Sequence, residues 1–88
     1  MVEYEIKYTK QAVKDIKNLK FSNLDDKAKK LIKIIKTSPY QTPPTYEKLI
    51  GDLNGMYSRR INIQHRLVYE VCEDQKVIKI IRMWKHYE

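Results

Sequence analysis

The sequence has few of the residues that build metal centres and disulfide scaffolds. It contains one cysteine, Cys72, and two histidines, His65 and His86. A single cysteine cannot form an internal disulfide, and these three side chains are too few for a zinc-type ligand cluster. The counts exclude disulfide scaffolds and zinc fingers, and we predict neither a bound metal nor a cofactor.

Long apolar runs are also missing. Apolar side chains make up 42% of the 88 residues, but nowhere do they approach the run of about 20 that a membrane-spanning helix needs. The first ten residues alternate charged side chains with branched and aromatic ones, unlike a secretory signal. A chain of this length holds one core. We therefore expect a single domain over residues 1–88, located in the cytoplasm and without membrane contact.

Positive charge is abundant. Eighteen lysines and arginines against eleven acidic residues give a net charge of +7. Such a surplus favours a polyanionic partner and a salt-dependent affinity. Charge alone does not distinguish DNA from RNA, or a binding protein from an enzyme.

The first half of the chain is typical of one strand followed by two helices. Alternating apolar side chains predict a strand over residues 2–8. Thr9 has the hydroxyl of a helix N-cap and is expected to start the first helix. The second helix is expected to be capped by Ser22 or Asn23 and to end before Pro39.

The second half is typical of an antiparallel meander that follows a proline-rich connector. The Asn54-Gly55 pair is a strong hairpin signal. Strands are predicted over residues 47–53, 56–64, 67–71 and 77–83. The predicted fold is therefore α+β, with the order β-α-α-β-β-β-β: a twisted, largely antiparallel sheet with the two N-terminal helices packed on one face and the other face open to a ligand.

Alternation within the strands places two arginines together. If Ile61 and Leu67 face the core, then Arg60 and Arg66 share the solvent face. Each guanidinium is a planar fork of donors matched to phosphate oxygens, so a close pair of them is suited to bind a phosphate. In the last strand both sides carry apolar residues, so alternation does not settle which side faces the core.

A carboxylate and a histidine would complete a site for RNA cleavage. With Glu47 as base, Arg60 and Arg66 as stabilisers of the charged phosphate and His86 as acid, the 2′-hydroxyl of RNA could attack its own phosphate without a metal. Each residue also has an ordinary structural explanation. Strand arginines commonly solubilise a sheet, Glu47 can be a solvated carboxylate, and a histidine near a C-terminus is commonly a surface residue.

Several motifs carry a family resemblance over nearly the whole chain. They are Glu47-Lys48-Leu49, the block from Leu53 to Ile61 with its Ser-Arg-Arg-Ile core, His65-Arg66-Leu67-Val68-Tyr69, and the terminal His86-Tyr87. With these motifs the sequence resembles the YoeB (Txe) toxins of the RelE/ParE superfamily. The resemblance implies a RelE-like, microbial-ribonuclease-like fold and a bacterial toxin that cleaves messenger RNA in the ribosomal decoding site.

The resemblance also implies residue roles and partners. Glu47 matches the general base, Arg60 and Arg66 the phosphate-stabilising arginines, His86 the general acid and Tyr87 an aromatic that orients the substrate. Four further side chains are expected to contact RNA: Arg59, Lys48, Lys85 and Trp84. The implied partners are messenger RNA, the 70S ribosome with its ribosomal RNA, and a YefM-like antitoxin, and a homodimer is compatible with them.

Two alternatives stay open at this stage. A ParE-like gyrase inhibitor would share the scaffold and catalyse nothing, and a non-catalytic RNA- or ribosome-binding module would need only the basic charge. The segment from Tyr69 to His86 is also about two residues longer than the resemblance predicts. Two residues are one strand period and would keep His86 on its side, whereas a β-bulge would re-aim it.

Overall fold

A computed structural model describes residues 3–42, 45–49, 55–62 and 65–83. The elements follow the predicted order, with shorter strands than the sequence pattern indicated. They are β1 (Glu5–Tyr8), α1 (Lys10–Phe21), α2 (Asp25–Thr37), β2 (Tyr46–Lys48), β3 (Met56–Arg60), β4 (Arg66–Cys72) and β5 (Val77–Arg82). The predicted strand ends at Val2, Leu53 and Gln64 and the residue Asn54 lie outside the described residues. Within the described residues no helix is long and apolar enough to cross a membrane.

The five strands form one mixed sheet in the order β1-β5-β4-β3-β2. Strands β2 to β5 pair antiparallel as expected for a meander. Strand β1 pairs parallel with β5, because the two helices carry the chain across one face before it returns. This confirms the predicted fold, and the short β2 lies at one edge of the sheet, with β1 at the other.

The two helices begin differently. Thr9 is the N-cap of α1, and its hydroxyl accepts the backbone N–H of Ala12 at 3.1 Å, as predicted. The prediction that Ser22 or Asn23 caps α2 is wrong. The N-cap of α2 is Leu24, which makes no side-chain cap bond. Asn23 instead adopts a left-handed conformation with φ of 58°, a role that asparagine tolerates at the end of a helix, and its N–H closes α1 on Lys20.

The core lies between the helices and one face of the sheet. Leu67 and Tyr69 of β4 and Ile78 and Ile80 of β5 are fully buried. They pack against the buried stripes of the helices, which are Ala12, Leu19, Ala28, Leu31 and Ile35. Because side chains alternate along a strand, the residues between them project from the opposite face of the sheet, away from the helices.

A β-bulge interrupts the pairing of β4 with β5. Val68 pairs with Arg82 while Tyr69 pairs with Ile80, so Ile81 is the extra residue. Helix α1 holds this irregular segment at three points. Thr9 donates its N–H to the Ile80 carbonyl and its hydroxyl to the Ile81 carbonyl at 2.7 Å, and a carboxylate oxygen of Asp15 accepts the Met83 N–H at 3.0 Å. These three backbone groups of the irregular segment therefore have hydrogen-bond partners outside the sheet.

The buried carboxylate of Asp15 provides a test of this anchor. Asp15→Leu should lower the free energy of unfolding by about 1–3 kcal/mol, because the Met83 N–H would be left buried without an acceptor. Asp15→Asn keeps an oxygen in the same place and should lose less. Urea unfolding of the two variants checks this, and an equal loss in both would contradict the role assigned to the Met83 hydrogen bond.

Candidate functional site

The open face of the sheet carries a cavity of about 330 Å³ near its β2 edge. In register across the strands, Glu47 of β2 faces Ser58 of β3, and Arg60 of β3 faces Arg66 of β4. Directly opposed residues of an antiparallel pair project from the same face, with Cα atoms about 4.5–5.5 Å apart. The cavity is lined by these four residues and Thr45. The prediction that Arg60 and Arg66 share a face is therefore confirmed.

An ion pair spans the cavity. A terminal nitrogen of Arg66 lies 3.3 Å from a carboxylate oxygen of Glu47, so the bridge crosses from β4 to β2 over the intervening strand. The Glu47 side chain is 62% exposed and that of Arg66 is 27% exposed. An ion pair this exposed is worth about 0–1 kcal/mol. An incoming phosphate can therefore displace the carboxylate from Arg66 at little cost.

Ser58 and Thr45 also line the cavity, although neither was predicted as a site residue. Ser58 is 2% exposed, and no hydrogen-bond partner for its hydroxyl lies among the described residues. Strand alternation could have indicated Ser58, because it lies two residues before Arg60 on β3 and therefore projects from the same face. The cavity thus combines two guanidinium groups and a carboxylate with a buried hydroxyl beneath them.

Arg59 does not belong to the RNA-facing set, and the expectation that it contacts RNA is wrong. Its side chain points to the helix side of the sheet and is completely buried. The guanidinium donates to the Pro39 carbonyl at 3.0 Å and to the Tyr69 hydroxyl at 3.1 Å, and lies 5.1 Å from the centre of the Tyr46 ring. Burial raises the pKa of Tyr69, which keeps its hydroxyl protonated to donate to Pro39 at 2.8 Å.

The bulge adds a third arginine to the open face. Arg82 pairs with Val68, which lies between Ser58 and Arg82 in one row across β3, β4 and β5. Ile78 and Ile80 of the same strand face the core. Simple alternation would have placed Arg82 with them, so the sequence pattern alone did not reveal its orientation.

The remaining predicted residues fall elsewhere. Lys48 is exposed and pairs with Tyr57, on the face of the sheet opposite the cavity. Trp84, Lys85, His86 and Tyr87 lie outside the described residues. Within the part of the chain that the structure describes, no group of three or more histidine, cysteine or acidic side chains is placed to hold a metal ion.

Comparison with known proteins identifies the family of this chain. Residues 8–87 match the model of a family described as the YoeB-like toxin of the bacterial type II toxin-antitoxin system. Toxin YoeB of Streptomyces coelicolor is 47% identical over 49 residues, which are 56% of this chain and 58% of the relative. Toxin YoeB of Escherichia coli K12 is 39% identical over 61 residues, which are 69% of this chain and 70% of the relative. The matched stretch of the first thus spans less than two thirds of its length.

Solved structures extend the likeness to nearly the whole chain. The YoeB-YefM complex from Staphylococcus aureus superposes with a TM-score of 0.80 at 36% identity, covering 98% of this chain and 100% of that one. A YoeB/ParE toxin from Agrobacterium tumefaciens gives a TM-score of 0.86 at 28% identity, covering 94% and 99%. With its two helices on a five-stranded sheet, the chain has the fold of the small bacterial RelE-type toxins. It belongs to the YoeB-like family of type II toxin-antitoxin toxins.

Proposed function

We propose that this protein is a ribosome-dependent endoribonuclease that cleaves messenger RNA and so stops translation. The observation that carries the proposal is the cavity in which Glu47, Arg60 and Arg66 meet on the open face of the sheet. A carboxylate beside two guanidinium groups offers a base next to a binding site for a phosphodiester. A gyrase inhibitor or a passive RNA-binding module has no need of this combination.

The reaction follows from the roles of these groups. Glu47 accepts the proton of the 2′-hydroxyl, whose oxygen attacks the adjacent phosphorus while the bond from phosphorus to the 5′-oxygen breaks. Arg60 and Arg66 stabilise the negative charge that gathers on the non-bridging oxygens. His86 gives its proton to the departing 5′-oxygen, and Tyr87 orients the substrate. The products are a 2′,3′-cyclic phosphate and a free 5′-hydroxyl, and no step requires a metal.

Binding of the substrate also prepares the base. In the free protein Glu47 is paired with Arg66. A phosphate that binds both arginines competes for Arg66 and leaves the carboxylate available for a proton. Positioning of the message by the ribosome would supply much of the remaining rate, because an oriented 2′-hydroxyl converts the attack into an intramolecular step.

The partners follow from the same proposal. The toxin acts in the cytoplasm, on messenger RNA held in the ribosomal decoding site, with Lys85 and Trp84 adjoining the substrate. A YefM-like antitoxin is expected to neutralise it, since an acidic, disordered segment suits a basic surface. Relatives from Staphylococcus aureus have been solved as a YoeB-YefM complex and as a YoeB dimer.

Mapping of 5′ ends on cellular messages tests the proposal. After induction of the wild-type chain, new ends should cluster at fixed positions within codons, and His86→Gln should reduce their frequency because the leaving oxygen loses its acid. Both proteins should be present in equal amounts. Intact messages with a loss of DNA supercoiling would instead support gyrase inhibition, and intact messages with ribosome binding would support a non-catalytic module.

A further inference from the structure

Ser58 carries a buried hydroxyl group at the floor of the cavity. The residue is 2% exposed, and its hydroxyl oxygen has no hydrogen-bond partner among the residues that the structure describes. Buried polar groups in folded proteins nearly always have such a partner, so an exception calls for a cause, for example a catalytic role. A hydroxyl in this position is suited to an acceptor that a ligand brings.

The neighbours of Ser58 on the open face offer little to accept its proton. Glu47 lies opposite Ser58 on β2, Val68 lies opposite it on β4, and Arg60 follows two positions later on β3. Valine has no polar side-chain atom, and a guanidinium can only donate. Glu47 has an acceptor, but its carboxylate is paired with Arg66 at 3.3 Å. The hydroxyl is thus surrounded by groups that do not use it in the free protein.

The ion pair between Glu47 and Arg66 crosses β3 next to Ser58. Glu47 stands opposite Ser58 and Arg66 stands opposite Arg60, so the line that joins the paired groups passes over β3 between Ser58 and Arg60. The pair therefore lies on the solvent side of the hydroxyl. A phosphate that takes Arg66 from Glu47 opens this cover and comes to lie above Ser58.

We propose that Ser58 is a further catalytic residue, whose hydroxyl donates a hydrogen bond to a non-bridging oxygen of the scissile phosphodiester. The identity of this phosphate rests on the proposed cleavage of RNA. Arg60 and Arg66 supply charge to the phosphate, and Ser58 adds a neutral donor from the floor of the cavity. Ser58 keeps its proton, and no covalent bond forms at its oxygen. The hydrogen bond strengthens as negative charge gathers on the non-bridging oxygens in the transition state.

Binding of inorganic phosphate tests this contact without any cleavage. Ser58→Ala should weaken phosphate binding roughly tenfold, because one hydrogen bond to a charged acceptor is lost. The titration is followed by the NMR signals of the backbone amides of β3 and β4, at an ionic strength held constant with sodium chloride. The matched control is Ser22→Ala, which removes the same hydroxyl at the exposed end of α1 and should bind phosphate like the wild type.

Urea unfolding separates this role from a purely structural one. Without phosphate, Ser58→Ala should unfold at the same urea concentration as the wild type or at a higher one, because the hydroxyl that it removes has no partner among the described residues. With phosphate, the midpoint should rise more for the wild type than for the variant, since a ligand stabilises the folded state according to its affinity. Equal phosphate affinity in the two proteins, together with a lower midpoint of the variant in both conditions, would overturn the proposal.

Single-turnover cleavage on programmed ribosomes extends the test to the reaction. Ser58→Ala should slow cleavage by roughly 10²-fold, the loss typical of one donor to a developing oxyanion. Sulfur is a weak acceptor, so a phosphorothioate at the scissile linkage should slow the wild type in one diastereomer and slow the variant less. An unchanged rate in the variant, or equal sulfur effects in both proteins, would overturn the assignment. If the wild type does not cleave, the proposed function fails, and the phosphate titration still decides the role of Ser58.

Discussion

Replacement of Glu47 by glutamine should lower the rate of RNA cleavage by roughly 10²- to 10⁴-fold, the range typical for loss of a general base. The amide keeps the shape of the side chain but cannot accept the 2′-proton at neutral pH. Stability should change by less than about 1 kcal/mol, since the ion pair with Arg66 is largely exposed. Single-turnover cleavage on programmed ribosomes, together with urea unfolding, measures both effects.

The matched control for this variant is Glu70→Gln. Glu70 lies on β4 two positions beyond Val68, on the same open face as Glu47, and pairs with Met56 and Lys79. The Glu70→Gln substitution therefore changes the charge of that face by the same amount as Glu47→Gln, at a residue that does not line the cavity. If both variants slow cleavage equally, the effect is one of overall charge. If Glu47→Gln cuts at the wild-type rate, another group takes the proton.

Strand alternation was sufficient to bring the two site arginines together. Ile61 and Leu67 are apolar and had to face the core, and a period of two residues then fixes Arg60 and Arg66 on the other side. The antiparallel pairing of neighbouring strands made them direct partners. These features could be predicted because they depend on local periodicity and short connections.

Features that depend on distant contacts could not be predicted in the same way. The bulge at Ile81 is held by Thr9 and Asp15, more than sixty positions away in the sequence. The bulge turns Arg82 to the open face. The alternation of residues in β5 does not predict this orientation, because it assumes a strand without an extra residue. The N-cap of α2 likewise differed from the prediction, because Asn23 ends α1 and Leu24 takes the cap position.

Arg59 illustrates the same limit at a charged residue. Arg59 and Arg60 are adjacent and equally polar, so composition does not indicate which of them is buried. Alternation predicts only that they point to opposite faces of the sheet. The partners that make burial of Arg59 tolerable are the carbonyl of Pro39 and the hydroxyl of Tyr69, supplied by a loop and by a neighbouring strand. Buried charges persist where such hydrogen bonds compensate for lost hydration.

Substitution of Arg59 by alanine should therefore lower the free energy of unfolding by about 3–5 kcal/mol. The change removes charge-assisted hydrogen bonds and leaves a cavity in the core, and the two losses add. It also removes the guanidinium that packs on Tyr46, the residue before Glu47 on the edge strand β2. We expect a large fall in the urea midpoint, severe for a domain whose total stability is of the order of 5–15 kcal/mol.

The adjacent Arg60→Ala is the control within the same strand. Arg60 is exposed, so its loss should change the free energy of unfolding by no more than about 0.5 kcal/mol while it weakens cleavage through the phosphate contact. The two arginines are thus expected to separate stability from activity. Equal destabilisation by the two substitutions, or a neutral Arg59→Ala, would show that the hydrogen bonds to Pro39 and Tyr69 do not hold the core. The side-chain packing of Tyr46 on the helix side of β2 would then rest on its ring contacts with Tyr40 and Tyr57.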